Sequence, residues 1–517
     1  MRWTHASTTR FGAIATASLL FASATGVGSA DTAPIPSDPA PPDVSQAGPR
    51  PIHCPSPAVR IEPGQSIQAV VDRQGPGTVF CIAAGRYRAQ TIAPKDGQAF
   101  YGEAGAVLDG TLPLTDFRQV GNLWSVPSRA PPFEPLAKVS YRRCLTSVPL
   151  CEHPEVVWLD DVALVRVETR AALKPGSFLI DDAGRVVIAD DPTGHQVSET
   201  AARYAFLSNH ARDVVVSDFT VQRYGNPPQR GAIFDDQNRG STGWTIQHND
   251  VRENSGLGIL TGPSSRILDN RVDHNGQLGI SATLQNGLID GNEISGNNTR
   301  GFDPGWEGGG LKAAVTTNLV IRRNVARRNH GPGLWCDIEC HNTLYENNLV
   351  EDNDGAGIFH EISYAATIRN NISRRNGVAD QSWYWGANIL IAASQDVTVE
   401  HNLVVVSEGG TGIALIDQGR PRDNGGLYKT MGNRIEANVV RFTGSKDARM
   451  GGVSDVARGS PNDHMIENGH NLFTGNVYVV PPHCEVSFGW GRQTVDLPAF
   501  QALGQDVTST VVTQNGG

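Results

Sequence analysis

Gly331-Pro332-Gly333-Leu334-Trp335-Cys336-Asp337-Ile338 and Gly355-Ala356-Gly357-Ile358-Phe359-His360-Glu361-Ile362 align position for position, 24 residues apart. Short apolar strings opened by glycine, recurring at a period of roughly 20–50 residues, are the mark of a stacked repeat architecture. In such a stack each string becomes a strand and the repeat sets the register. Asp337 then lies beside Glu361 on the neighbouring strand, at a spacing of about 4.8 Å.

The period continues outward from these strings. A polar-polar-aliphatic motif recurs as Asn249-Asp250-Val251, Asn270-Arg271-Val272, Asn292-Glu293-Ile294, Arg323-Asn324-Val325, Asn347-Asn348-Leu349, Asn370-Asn371-Ile372 and His401-Asn402-Leu403, with aliphatic positions 21, 22, 31, 24, 23 and 31 residues apart. Between the motifs lie β-branched runs such as Thr245-Ile246 and Thr367-Ile368. Short strands broken by Asn and Gly suit a parallel β-helix, whose turns need left-handed backbone and whose stacked Asn side chains can bond one another. Neither a Trp-Asp propeller pattern nor a leucine ladder is present.

Two intervals are long. One contains Thr299-Arg300-Gly301-Phe302-Asp303-Pro304-Gly305-Trp306-Glu307-Gly308, the other Gln381-Ser382-Trp383-Tyr384-Trp385. A third excursion, from about 417 to 432, is rich in Gly, Arg and Asp. Insertions into a solenoid fall on one face, often the binding face. These loops bracket the Asp337 and Glu361 coils and are expected to wall a single cleft.

The N-terminal half reads differently. Residues 1–30 have the form of a cleavable secretory signal: Arg2 and Arg10, an apolar run over 11–24, and a small-residue site ending at Ala30. Residues 31–50 are Pro-rich and read as a flexible linker. Residues 51–121 look like a cap and the first coils, with a short helix at Ser66-Ile67-Gln68-Ala69-Val70-Val71. Residues 122–200 alternate in strands joined by turn residues and read as a small antiparallel β-sandwich inserted into the solenoid. The main β-helix is expected over 201–517. No other segment is apolar enough to span a membrane.

Seven cysteines are present. In an exported protein Cys54–Cys81 and Cys144–Cys151 are expected disulfides. A Cys336–Cys340 bridge is disfavoured, because four residues of extended strand span about 13 Å. No His or Cys cluster has metal-ligand spacing, so neither a metal nor a cofactor is expected. The formal charge is −10, or −12 once Arg2 and Arg10 are removed. An acidic surface argues against nucleic acid as a partner.

Alternation in a strand sends Leu334, Cys336 and Ile338 inward and Trp335 and Asp337 outward, with Phe359 and Glu361 outward one coil later. Gly310-Leu311-Lys312 matches Gly333-Leu334-Trp335 one coil earlier, which puts Lys312 on the same face; Thr283 and Asp236 fall in the Asp337 column. His360 points inward as a core histidine. A lone exposed acid is ordinarily solvated surface charge. Two like charges stacked at about 5 Å between bulky aromatics cost stability and call for a compensating role. That separation is the one found between the two acids of a retaining glycosidase, about 5–5.5 Å. Coupling between the acids would raise one of their pKa values and keep it protonated as a proton donor.

The stretch Gly333-Leu334-Trp335-Cys336-Asp337, then Phe359-His360-Glu361-Ile362-Ser363, then Arg369-Asn370-Asn371-Ile372 resembles the β-xylosidase-type glycoside hydrolases of the pectate-lyase-like superfamily. These are built on a right-handed parallel β-helix with an inserted β-sandwich. The resemblance implies retention, with Asp337 as nucleophile and Glu361 as acid/base. It departs at Tyr364-Ala365, where the family pattern has His-Gly. A second stretch, Gly301-Phe302-Asp303-Pro304, is similar to the motif of alginate C5-epimerases and related lyases. Arg300 and Gly305 stand where their Tyr and His would be. The expectation is an exported glycoside hydrolase acting on a carbohydrate. Lys312, Glu307 and Asp236 would orient hydroxyls, and Trp335, Phe359, Trp306, Trp383 and Trp385 would stack on rings. The alternatives are a lyase or epimerase on a uronate polymer, and a non-catalytic glycan-binding β-helix.

Overall fold

A computed structural model describes residues 37–51, 54–132, 142–234, 240–283, 285–379, 382–423, 425–455, 466 and 468–514. The segment read as a signal, residues 1–30, and Asp236 lie outside the described residues. The chain winds into a right-handed parallel β-helix with three long sheets of 13, 13 and 12 strands. One coil illustrates the path: Thr245–Gln247 in the first sheet, Asp250–Arg252 in the second, Leu257–Thr261 in the third, then Arg266–Leu268 back in the first.

The strands are short because the chain turns three times per coil. The turn from the first to the second sheet takes one residue in the left-handed region, such as His248, Asp269, Arg323, Asn347, Asn370 or His401, at φ 49° to 56°. That geometry costs an ordinary side chain of order 1 kcal/mol. A ladder of asparagines immediately after it offsets the cost. The Asn348 side-chain oxygen accepts from Asn324 N at 3.0 Å and Asn324 Nδ2 at 3.1 Å. Its own Nδ2 donates to Ile321 O and to Asn371 Oδ1, both at 2.9 Å. A parallel ladder through Asn254, Asn275, Asn297, Asn329, Asn353, Asn376 and Asn388 turns the chain from the second sheet to the third.

The ladder corrects the register read from the aliphatic positions. Asn292 stacks on Asn324, 32 residues on, so Val325, Leu349, Ile372 and Leu403 pair with the column of Glu293 and not with that of Ile294. These four side chains therefore lie on the outer face, where they form an apolar cluster of their own. Hydrogen bonding of the buried amides, not the identity of the next residue, fixes the register.

That outer stripe is covered by the segment expected to be a free linker. Val44 packs on it, Asp38 pairs with Arg441 at 2.8 Å, Gly48 N donates to Asp269 O at 2.9 Å and Arg50 N to Asp218 Oδ1 at 3.1 Å. From Asp38 to Arg50 the chain crosses eight strand steps of the second sheet. Twelve residues of polyproline-like chain at about 3.1 Å each match eight steps of about 4.8 Å. Residues 37–50 thus form an extended strap, and proline suits a segment that cannot join a ladder.

Both described ends of the solenoid are plugged. The helix Ile67–Asp72, N-capped by Ser66, buries Ile67, Val70 and Val71. At the far end the helix Leu497–Ala502 inserts Phe500, stacked on Phe488 with centroids 4.4 Å apart. The insert comprises two small sheets closed over Leu114, Val126, Val157, Phe178, Val186 and Ile188. Its pairing begins at Thr111–Pro113, against Val197–Thr200, ahead of the boundary at 122. The strand break after Asp109, not the composition shift, is where the chain leaves the solenoid. One pair in it, Val165–Arg166 with Ser177–Phe178, is parallel.

Cys54–Cys81 and Cys144–Cys151 are disulfides, whereas Cys336 and Cys340 are buried free thiols. The chain between those two is not extended, because Ile338 and Glu339 both turn left-handed. The same turn takes Ile338 off the inward face expected for it, to pack beside Ile362, Ala393 and Tyr428.

Candidate active site

The third sheet positions the two acids. In register, Lys312, Trp335, Phe359 and Leu390 form one outward column; Asp337, Glu361 and Ala392 form another. Asp337 and Glu361 are direct partners on adjacent parallel strands, about 4.8 Å apart along the sheet. The glycines that open these strands are there for space. A Cβ on Gly333 would lie 2.5 Å from Val350 and 2.8 Å from the Asn353 amide, and one on Gly357 2.5 Å from Asn388 O. The Asn ladder and the strand entrance compete for that volume. His360 is fully buried in the core, its Nδ1 3.3 Å from the Tyr345 hydroxyl and its Nε2 3.2 Å from Tyr364 O.

Lys312 is almost wholly enclosed, with a side chain 7% exposed, and its contacts are within the protein. Its Nζ lies 2.9 Å from Asp337 Oδ2 and 3.7 Å from Glu307. It donates to Trp306 O at 2.6 Å and sits 4.1 Å from the Trp335 ring centroid. Lys312 is therefore the internal counter-ion of Asp337, in place of the sugar-orienting cation expected from the sequence. Glu307 is likewise occupied, accepting from Gln229 at 2.9 Å.

Glu361 is placed differently. Its side chain is 8% exposed, and one oxygen accepts from Gln418 Nε2 at 3.0 Å and from Arg420 at 3.2 Å. Burial, with the nearby Asp337 charge second, pushes its pKa above the ordinary glutamate value. Gln418 and Arg420 come from the excursion at 417–432, which is fastened at several points. Asp417 accepts from Gly419 N and Thr430 N. Tyr428 N donates to Arg420 O, and its hydroxyl donates to Glu339 at 2.7 Å.

Above Glu361 opens a cavity of about 850 Å3. Trp335, Phe359, Trp385, Gln418 and Arg420 line it beside Glu361. Its wall also includes Leu145 and Val148 of the insert, Asp303 to Gly305, and His330 hydrogen-bonded to Asp354. Asp337 lies beside this cavity with its side chain 20% exposed, turned to Lys312. Trp306, Glu307, Lys312 and Trp383 are not on its wall. Trp306 packs on Phe302 with Arg143 over its ring. Trp383 donates to Ser454 and packs edge-on against Tyr384.

Trp335 and Phe359 are 3% and 8% exposed, stacked at 5.4 Å with planes 10° apart. They are more enclosed than exposed ring platforms would be. The later coils carry Leu390, Ala392, Ala414 and Ile416 on this outer face, and the excursion at 382–386 folds over them with Tyr384. The aromatic column is the edge of that second apolar cluster and lines the cavity.

Among the wall residues that sequence reasoning missed are Gln418 and Arg420, the His330–Asp354 pair, and Leu145 with Val148, whereas the loop holding Asp303 was expected to wall the cleft. The excursion holding Gln418 was legible; which of its residues would reach Glu361 was not. The finger at 142–151 could not be foreseen, since it reaches the cleft through pairing of Cys144 with Phe302 and of Leu145 N with Gly301 O at 2.9 Å. Arg300 is half-buried beside the second half of this finger, donating to the backbone of Cys151 and His153, and desolvation lowers its pKa to about 10.

Residues 233–404 match the family model of the right handed beta helix region. No curated protein matches the chain. Among solved structures, XylC in complex with xylose superposes with a TM-score of 0.62 at 15% identity, over 87% of this chain and 83% of that one. The Azotobacter vinelandii mannuronan C-5 epimerase AlgE6 and AlgE4 A-modules align over 87% and 92% of this chain and 94% and 99% of theirs, at 14% identity, with TM-scores of 0.46 and 0.42. At such identities the likeness establishes the β-helix and no chemistry.

Proposed function

We propose that the protein is an exported glycoside hydrolase that acts with retention, Asp337 serving as nucleophile and Glu361 as acid/base. One observation carries the reading. Two carboxylates are direct neighbours across one strand step, yet their surroundings differ: Lys312 stands against Asp337, while burial favours the protonated form of Glu361. Paired acids whose environments push their proton affinities apart are the usual division between nucleophile and proton donor.

In the first step Asp337 attacks the anomeric carbon and forms a glycosyl ester, while Glu361 gives its proton to the departing glycosidic oxygen. In the second, Glu361 takes a proton from water, the hydroxide attacks the same carbon and Asp337 leaves. Gln418 and Arg420 hold Glu361 in place through both steps. Trp335, Phe359 and Trp385 supply the apolar side of the sugar site. The two disulfides support an oxidising, extracellular setting.

A lyase or epimerase reading is weaker. Arg300 is locked into the insert contact and Gly305 has no side chain, so the Asp303 segment offers no acid/base partner. The test is a panel of neutral and uronate oligosaccharides, with xylosides among the first in view of the XylC neighbour. New reducing ends without ultraviolet absorbance from an unsaturated sugar support hydrolysis; the unsaturated product would overturn it.

A further inference from the structure

The cleft at Glu361 continues beyond the cavity above that residue. A second cavity of about 380 Å3 lies between the insert and the solenoid, and Val148 and Thr299 stand in the walls of both. The floor of the second is the run of turns at Glu253 to Ser255, His274 and Thr299. The same row of turns carries on through His330, Asp354 and Ala379 under the first. From the Asn254 turn to the Asn376 turn the ladder makes five steps. At about 4.8 Å each they span about 24 Å.

We propose that the two cavities form one groove that binds an extended, neutral glycan chain, with the cleaved bond at Glu361 and further rings running toward His274 and Ala163. This rests on the glycosidase reading of the same site. The dimensions carry it first: a groove of this length exceeds what one small sugar fills. Its chemistry carries it second. Apolar Val165 and polar His274 share its walls, which suits rings with apolar faces and hydroxyl edges. Val148 and Val165 are 40% and 65% exposed at the rim, and apolar side chains left open along a groove mark a contact surface. The chain is neutral because wall cations are paired and acids stand beside them: Arg166 is held at 2.6 Å by Glu155, Arg420 lies against Glu361, and Asp161 and Glu253 share the second cavity with Arg300. The wall at the neck is fixed by the Cys144–Cys151 bridge and the Arg142–Asp303 pair at 3.1 Å.

The test is binding of a glycan array carrying neutral and anionic chains of increasing length to the full chain bearing Glu361→Gln, which slows turnover enough to read binding. Affinity for neutral chains is expected to rise with length beyond three rings. Ala163→Trp and His274→Trp, each of which pushes an indole into the second cavity, should remove that rise, a loss of about tenfold for the longest chains. Length-independent binding, binding confined to anionic chains, no binding at all, or a length dependence that both variants keep would overturn the groove. If the unmutated protein binds long chains and hydrolyses none, the groove stands and the glycosidase reading falls.

Discussion

Lys312 Nζ lies 2.9 Å from Asp337 Oδ2 across adjacent coils, whereas Glu361, one coil on, pairs with Arg420, whose side chain is 46% exposed. One acid is neutralised from inside the fold and the other from a loop. Replacing Lys312 by Met would leave the Asp337 carboxylate without its buried counter-ion. A loss of about 3 kcal/mol in urea unfolding is expected, the range for removing one partner of a buried pair. A stability within about 0.5 kcal/mol of the parent would show that the pair is incidental.

The raised pKa of Glu361 fixes the sign of a pH effect. The folded state holds its proton at pH values where the unfolded chain, at the ordinary value of 4.5, has released it. Stability from this group is therefore complete below pH 4.5 and is lost as pH rises through the folded pKa. Glu361→Gln, which cannot ionise, should lack that fall. Its melting temperature should gain on the parent as pH climbs from 4 to 8; parallel profiles would refute the buried acid.

On activity, Glu361→Gln should lower turnover of ordinary glycosides by roughly 10²–10⁴-fold, the contribution of a positioned acid/base. Aryl glycosides with good leaving groups need less protonation in the first step and should suffer less in bond cleavage. Burst kinetics would check this: an equal loss for both substrate types in that step speaks against Glu361 as the proton donor.

The asparagine ladder offers a prediction about the frame. Asn348→Ala removes the acceptor for Asn324 N and Nδ2 and the donor to Ile321 O. Asn324 Nδ2 keeps Ile289 O and Arg322 O, so leaving the other two buried groups unpaired should cost about 2 kcal/mol or more, at roughly 1–3 kcal/mol each. Urea unfolding would measure it, and a cost under about 1 kcal/mol would mean that water repairs the site.

Much of this was legible in the sequence, for reasons that differ residue by residue. The β-helix showed because Asn and Gly recur at the turns, and the glycine-led strings at 331 and 355 set the register of Asp337 on Glu361 correctly. The register of the second sheet was misread after Ile294, since Val325 and Leu349 look like core residues until the strap carrying Val44 is known to cover them. Lys312 was assigned to the correct column but not to its partner: alternation gives the face, and only the side-chain path shows that the ammonium turns to Asp337. The burial of Trp335 and Phe359 depends on what the 382–386 excursion covers, and local pattern carries no record of that. The contact of the 142–151 finger with the 301–303 loop joins segments about 150 residues apart, beyond any repeat.

The central claim is that two acids one strand step apart divide the work of a double displacement. Proton NMR of the first-formed sugar, followed before mutarotation on a glycan the protein cleaves, tests it most directly. Release of the anomer with the configuration of the substrate is predicted. Release of the opposite anomer would mean that water attacks directly and would remove Asp337 from the role of nucleophile.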